Sequence, residues 1–159
     1  RNDLGFFPLP RGDGKMKLRI EHFKESHFDQ SLLIDRDQDY IDRHLEGRAP
    51  ITEDDIAWTV FAGDEPFLYC GAFPCWNGVL EVYQFVTKRA AKRPKLFVKA
   101  CRAVIDTKVS VFKPHRIQTH SVNDALHDRW MRAMKFEKEG VLRKWGPDGQ
   151  DFAIWGRLV

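Results

Sequence analysis

The chain predicts an α+β sandwich: a mixed, mostly antiparallel central sheet of about six to seven strands, with helices on both faces. Three observations carry this. Residues 56–62, 67–76 and 80–87 are consecutive strand-like runs, parted by Gly63-Asp64-Glu65-Pro66 and by the hairpin signal Asn77-Gly78. Two stretches with apolar residues at helical spacing, one after Pro94 and one after Asp124, flank a single strand-like run at residues 115–122. The chain closes with two more such runs, residues 136–145 and 152–158, over the turn Pro147-Asp148-Gly149-Gln150.

In chain order, residues 1–15 hold Gly5, Pro8, Pro10, Gly12 and Gly14 around a short apolar patch. They predict a flexible tail, with Met16 as the native start and the preceding residues upstream or vector-derived sequence. A single domain over residues 16–159 follows. Residues 16–23 alternate well enough for a first strand, and residues 25–46 set Phe28, Leu32, Leu33, Tyr40, Ile41 and Leu45 among many acids, which predicts one or two amphipathic helices. After the three-strand meander, basic residues crowd a loop before Pro94, a residue suited to the first turn of a helix. Phe97, Ala100, Cys101, Val104 and Ile105 give that helix its apolar stripe, and it should end near Lys108. Ser121-x-x-Asp124 offers a capping box for the next helix, whose apolar face is Leu126, Trp130, Ala133 and Met134.

With 159 residues, 43% of them hydrophobic and 13% aromatic, the chain is long enough to bury one substantial core. Its 26 Lys and Arg against 23 Asp and Glu leave a formal +3, a balance that by itself names no partner. No apolar run approaches the ~20 residues that cross a bilayer, and the N-terminus lacks a basic-then-apolar signal pattern. The sequence therefore reads as soluble, not secreted and without a membrane partner. Cys70, Cys75 and Cys101 have neither the density of a disulfide scaffold nor C-x-x-C spacing, and they read as packing residues in a reducing, cytoplasmic setting. His115 and His120 have opposite parity on their strand and cannot readily share an ion, so no metal site is assigned.

The element order from Met16 to Val159, and above all the segment HRIQTHSVNDALHDRWMRAMKFEKEGVLRKWGPDGQDFAIWGRL, resembles the GNAT superfamily of acyl-CoA-dependent N-acyltransferases. The resemblance lies in a strand, a capped helix with an aromatic in its middle, a Phe-x-x-x-Gly strand and a closing hairpin. The stretch FVTKRAAKRPKLF, with His127 and Trp130 on the last helix, is similar more narrowly to GNAT-like proteins of short-tailed bacteriophages, including a family of internal virion proteins. That narrower resemblance implies a place in the host cytoplasm or the virion.

The family resemblance implies transfer of an acetyl group from acetyl-CoA to an amine by direct attack. It implies cofactor contacts at Phe85, Val86, Thr87, Lys92, Arg93, Lys95, Asn123 and Met131. Where the family holds the pyrophosphate with glycine-spaced amides at a helix entrance, residues 91–95 read AKRPK: no glycine is present, and Pro94 removes one amide. Lys88, Arg89, Lys92, Arg93, Lys95, Lys99 and Arg102 lie in a stretch without an acid between Glu81 and Asp106, so cationic side chains could replace amides. The same stretch could equally be a solvated face, or a patch that meets nucleic acid or a virion protein.

Glu81 shares a strand face with Tyr83 and Phe85, at a strand where the family often carries its general-base carboxylate. Partial burial beside aromatics would raise its pKa, and Glu81 is the candidate base; a solvent-facing rim position is the alternative. His120, at the end of the next strand, is the reserve base, across the region where the two strands would splay to admit a thioester arm. At the position where many relatives carry a general-acid Tyr stands Met131, with Trp130 adjacent, and neither donates an O–H proton. Trp130 also fits the apolar stripe of its helix. The acids Glu25, Asp29, Asp35, Asp37, Asp39, Asp42, Glu46, Glu53, Asp54 and Asp55 either steer a cationic amine or keep a helical region soluble. Two readings follow: an N-acetyltransferase with a degenerate pyrophosphate loop, or a catalytically inactive GNAT-fold phage structural or binding protein. Direct nucleic-acid binding through residues 88–102 is a third, although no base-stacking aromatics alternate with the cations.

Overall fold

The computed structural model describes residues 16–45, 50–52 and 54–159. The expected tail over residues 1–15, and the acids Glu46 and Glu53, lie outside the described residues. The strands are β1 (Leu18–His22), β2 (Ala57–Ala62), β3 (Glu65–Trp76), β4 (Val79–Val86), β5 (Arg116–Val122), β6 (Glu137–Leu142) and β7 (Phe152–Leu158). The helices are α1 (Asp35–Leu45), the single-turn α2 (Lys88–Ala91), α3 (Pro94–Val104) and α4 (Ala125–Ala133). The seven strands form one sheet in the order β1-β2-β3-β4-β5-β7-β6. Only β4 and β5 pair in parallel, as the helical crossover between them requires.

Side-chain alternation sorts the core onto the two sheet faces. Leu68, Cys70 and Ala72 of β3 and Leu80 and Val86 of β4 join the larger cluster, which Phe97, Ala100 and Val104 of α3 and Met131 beside α4's end cover. Tyr69 of β3, with Tyr83 and Phe85 of β4, faces the other way and packs with Phe23, Leu33 and Ile41 of the α1 side. The expected helices on both faces are therefore present.

Several local expectations are corrected. Of the one or two helices expected over residues 25–46, one forms, and it starts only at Asp35; residues 25–27 and 30–32 form isolated 3-10 turns. Asp29 Oδ1 accepts from the Ser31 amide at 2.9 Å, and Leu33 is extended and bridges to Thr87, so winding restarts only at Asp35. The basic loop before Pro94 contains α2, whose N-cap is Thr87: its Oγ1 accepts from the Ala90 amide at 3.1 Å. Winding after α3 continues past Lys108, through a wide turn at Ile105–Val109 and a 3-10 turn at Ser110–Phe112, until Lys113 adopts φ 48°. The capping box is absent. Asp124 alone caps α4, its Oδ1 accepting from the Leu126 and His127 amides at 2.9 and 2.8 Å. Ser121 instead accepts from the indole N–H of fully buried Trp155 at 2.9 Å. Ala133 is exposed and Met131 takes the buried place on that helix.

Candidate active site

The site begins with a break in the sheet. β4 and β5 pair over Val79↔Arg116, Leu80↔Ile117 and Glu81↔Gln118, and there the ladder stops, although both strands run on. The next link is a side chain: Thr119 Oγ1 donates to the Val82 carbonyl at 2.7 Å. Beyond it the strands splay. β4 stays paired with β3 and β5 with β7 along their lengths, so the ladder is lost only along the edges that β4 and β5 turn toward each other. A cavity of about 590 Å³ occupies the splay, lined by Glu81, Tyr83 and Phe85 of β4, His120 and Val122 of β5, Tyr40 of α1, and Trp130 and Met131 of α4.

Glu81 and His120 meet at the apex. Strand alternation puts both on the α1 side, and His120 Nδ1 donates to Glu81 Oε1 at 2.8 Å. Glu81 Oε2 accepts from Gln118 Nε2 at 3.1 Å and from the Cys75 thiol at 3.7 Å. Both side chains are about four-fifths buried, at 20% and 18% exposure. Trp145, from the β6–β7 connection, stacks on the imidazole with centroids 5.0 Å apart and planes at 18°. Both carboxylate oxygens are thus engaged, whereas among the described residues nothing hydrogen-bonds His120 Nε2. The tautomer this implies is Nδ1–H, with a free lone pair on Nε2.

Three members of this cluster were not singled out from the sequence as site residues. Gln118 was legible in principle, because it lies two residues before His120 on the same strand face. Cys75, expected to be a packing residue, lies on the Glu81 face two residues after Phe73, the β3 partner of Glu81, at a shift in the β3–β4 pairing. Trp145, expected at the end of the strand-like run 136–145, lies instead in the β6–β7 connection because β6 ends at Leu142.

The expected cofactor contacts divide. Phe85 and Met131 line the cavity, Met131 being buried. Lys92, Arg93 and Lys95 sit at the α2–α3 junction, and among the described residues none of them has an ion-pair partner; Arg93 reaches only the Met16 sulfur, at 3.7 Å. Asn123, at the entrance to α4, accepts from Lys138 Nζ at 2.6 Å. Val86 and Thr87 have their polar groups occupied. The Val86 amide donates to Asp37 Oδ2 at 2.7 Å, its carbonyl accepts from Ile34 at 2.9 Å, and Thr87 donates to the Phe67 carbonyl at 2.7 Å while capping α2. Of the other cations, Arg89 pairs with Glu65 at 2.9 Å and Lys88 approaches Asp35. Pro94 opens α3, so the Phe97 amide, bonded to the Arg93 carbonyl at 2.9 Å, leaves Lys95 and Leu96 as the amides in that first turn.

α1 roofs the cavity. Arg36 donates to His127 Nε2 at 3.1 Å, and His127 Nδ1 in turn donates to Asp124 at 2.9 Å, which ties α1 to α4. Arg43 donates to Asp148 at 2.9 Å and also pairs with Asp39, which ties α1 to the β6–β7 connection. The acids expected to steer a substrate are in part committed elsewhere: Asp37 is buried on β4, Asp39 pairs with Arg43, and Asp42 accepts from Gln30 at 2.8 Å. Among the described residues no cluster of three His, Cys, Asp or Glu could hold a metal. Burial, with Asp55 adding to it, pushes the Tyr83 phenol up to about 12, so it stays neutral.

No protein-family model matches the chain, and no curated protein does. Solved structures match its fold closely along its length. A GNAT-family acetyltransferase from Bacillus anthracis aligns over 89% of this chain and 94% of its own, with a TM-score of 0.64 and 17% identity. A Bacillus subtilis acetyltransferase in complex with CoA gives 0.64 and 17% over 90% and 99% of the two chains. The ribosomal-protein-S5-alanine acetyltransferase of Vibrio fischeri gives 0.61 and 14% over 89% and 92%. The chain has the GNAT acetyltransferase fold, α+β with a seven-strand mixed sheet. No helix among the described residues is long and apolar enough to cross a membrane.

Proposed function

We propose that the protein is an N-acetyltransferase that uses acetyl-CoA to acylate a primary amine, with His120 as base and Glu81 as the residue that orients it. The observation that carries this reading is His120 itself: gripped at Nδ1 by Glu81, stacked by Trp145, with Nε2 unpartnered among the described residues at the apex of a cavity between two splayed strands. This reverses the order of roles expected from sequence. A carboxylate whose two oxygens already accept three hydrogen bonds leaves little room for an incoming N–H, whereas it is well placed to fix a tautomer and stabilise an imidazolium. Nε2 takes the proton of the incoming amine, and Glu81 Oε1 holds Nδ1–H throughout. Gln118 and Cys75 keep the carboxylate from swinging away.

The residues fit an acyl-CoA by charge and shape. Lys92, Arg93 and Lys95 would neutralise its phosphates, and Phe85, Trp130 and Met131 would line its arm. When bound, the cofactor supplies an activated acyl group on a thioester. His120→Gln is expected to lower kcat/KM by about 10²–10⁴ and Glu81→Gln by a smaller factor, while calorimetric affinity for acetyl-CoA stays nearly unchanged. An unaffected rate in His120→Gln removes the dyad from the mechanism.

A second reading has its own support in the glycine-free loop, Pro94 at the start of α3, and the Val86 edge already filled by Asp37 and Ile34. It is a GNAT fold without the chemistry, as in a phage structural protein whose basic segment meets nucleic acid or a virion protein. Titration with acetyl-CoA and with CoA at low and moderate salt separates the two. Micromolar binding supports the enzyme, and no detectable binding leaves the fold as a binding module.

A further inference from the structure

Resting on that acyltransferase reading, we infer that the acceptor is an aryl-bearing primary amine whose ring lies between two aromatic walls of the cavity. The first wall is built on β4. Gly71 lies opposite Tyr83, and a Cβ at Gly71 would overlap the phenol ring, so the absent side chain is what lets that ring lie down across β3. Phe73 and Phe85 flank Tyr83, each with centroids 6.3 Å away, and Tyr40 reaches Phe85 from α1 at 6.4 Å. The second wall is the His120–Trp145 stack, backed by Phe152 at 5.1 Å from the indole.

Tyr83 and Phe85 also pack against the smaller core, whereas the outer rings stand clear of it. Tyr40 is 44% exposed, Phe73 46% and Trp145 55%, which at the mouth of a cavity marks apolar surface awaiting a partner. The charges argue for the same class. Among the described residues, every carboxylate that lines the cavity is already paired: Glu81 with His120, Asp37 with Arg36 and the Val86 amide, and Asp39 and Asp148 with Arg43. A diamine would therefore find no free anion among the described lining residues for its distal ammonium. Arg36 and Arg43 are equally committed, so a substrate carboxylate would have to break an existing pair. What remains unfilled is flat apolar surface leading to one base, the complement of a planar ring on a short aminoalkyl chain.

Calorimetry without any acyl donor tests this with 2-phenylethylamine, 2-cyclohexylethylamine and putrescine. Stacking should make the phenyl amine bind about tenfold more tightly than the cyclohexyl amine of similar bulk, with putrescine weakest. Trp145→Ala and Tyr40→Ala should each erode that preference, and because both side chains are exposed, melting temperature should hold. Equal affinity for the two ring amines, tighter binding of putrescine, or no binding by any of the three overturns the inference. The parent reading fails separately: phenyl preference without acetyl transfer keeps the aromatic site and discards the acyltransferase. Acetylation of putrescine without phenyl preference does the reverse.

Discussion

Cys75 shows how the surroundings of a single residue follow from register. Phe73 pairs with Glu81, so alternation puts Cys75 on the same face, and at the register shift between Pro74 and Trp76 its thiol reaches Glu81. Burial and then the Glu81 charge raise its pKa above the ordinary thiol value. The thiolate is the reactive form, so Cys75 is held mostly unreactive at pH 8. Glu81→Gln removes the negative neighbour, lowers that pKa, and should speed alkylation of Cys75 by iodoacetamide several-fold; peptide mapping reads the site. Cys70, which burial pushes up to about 12, and Cys101, raised by burial first and Cys70 second, should stay unmodified in both proteins. An unchanged Cys75 rate would mean that the carboxylate does not act on the thiol. Glu81 itself was legible from alternation with Tyr83 and Phe85, and so was its strand face. The contacts of its carboxylate were not, because those depend on Gln118, Cys75 and His120 converging on two oxygens.

At the level of elements, α1 departs most from what its composition implies. Acids in a first helical turn ordinarily face water and the positive end of the helix dipole. Asp37 does the opposite: it is 6% exposed and its carboxylate accepts the Val86 amide, pinning the helix to the free edge of β4. Asp37→Ala strands that buried N–H and should cost about 1–3 kcal/mol, measured by urea unfolding, with Asp37→Asn costing less because an amide oxygen still accepts. Equal stabilities would show that water or another group satisfies Val86. Boundaries followed the same logic elsewhere. Pro94 and the apolar stripe of α3 were readable locally, whereas Ser121 left the expected capping box because the Trp155 indole, distant in sequence, claims its hydroxyl. Competition of this kind cannot be seen within a four-residue window.

At the scale of the whole fold, the sheet separates two cores, and the β4–β5 ladder stops at Glu81 although both strands run on. Trp155, at 0% exposure, ties β7 to β5 within the larger core, while Trp76, at 77%, sits at the β3–β4 hairpin. Trp155→Ala should cost about 3–5 kcal/mol in chemical denaturation and Trp76→Ala within about 0.5 kcal/mol. Comparable losses would contradict this division of core from rim. Strand count, the three-strand meander, α3, α4 and the closing hairpin were all determined by the sequence alone, because periodicity, turn residues and Pro94 act over short range. Only the tertiary structure decided that β4 and β5 part after Glu81, that His120 meets that carboxylate, and that Asp37 and Trp145 close in from distant segments. Those outcomes depend on which strand edges and hydrogen-bonding groups remain unclaimed once the whole sheet has paired, and no local pattern encodes that remainder.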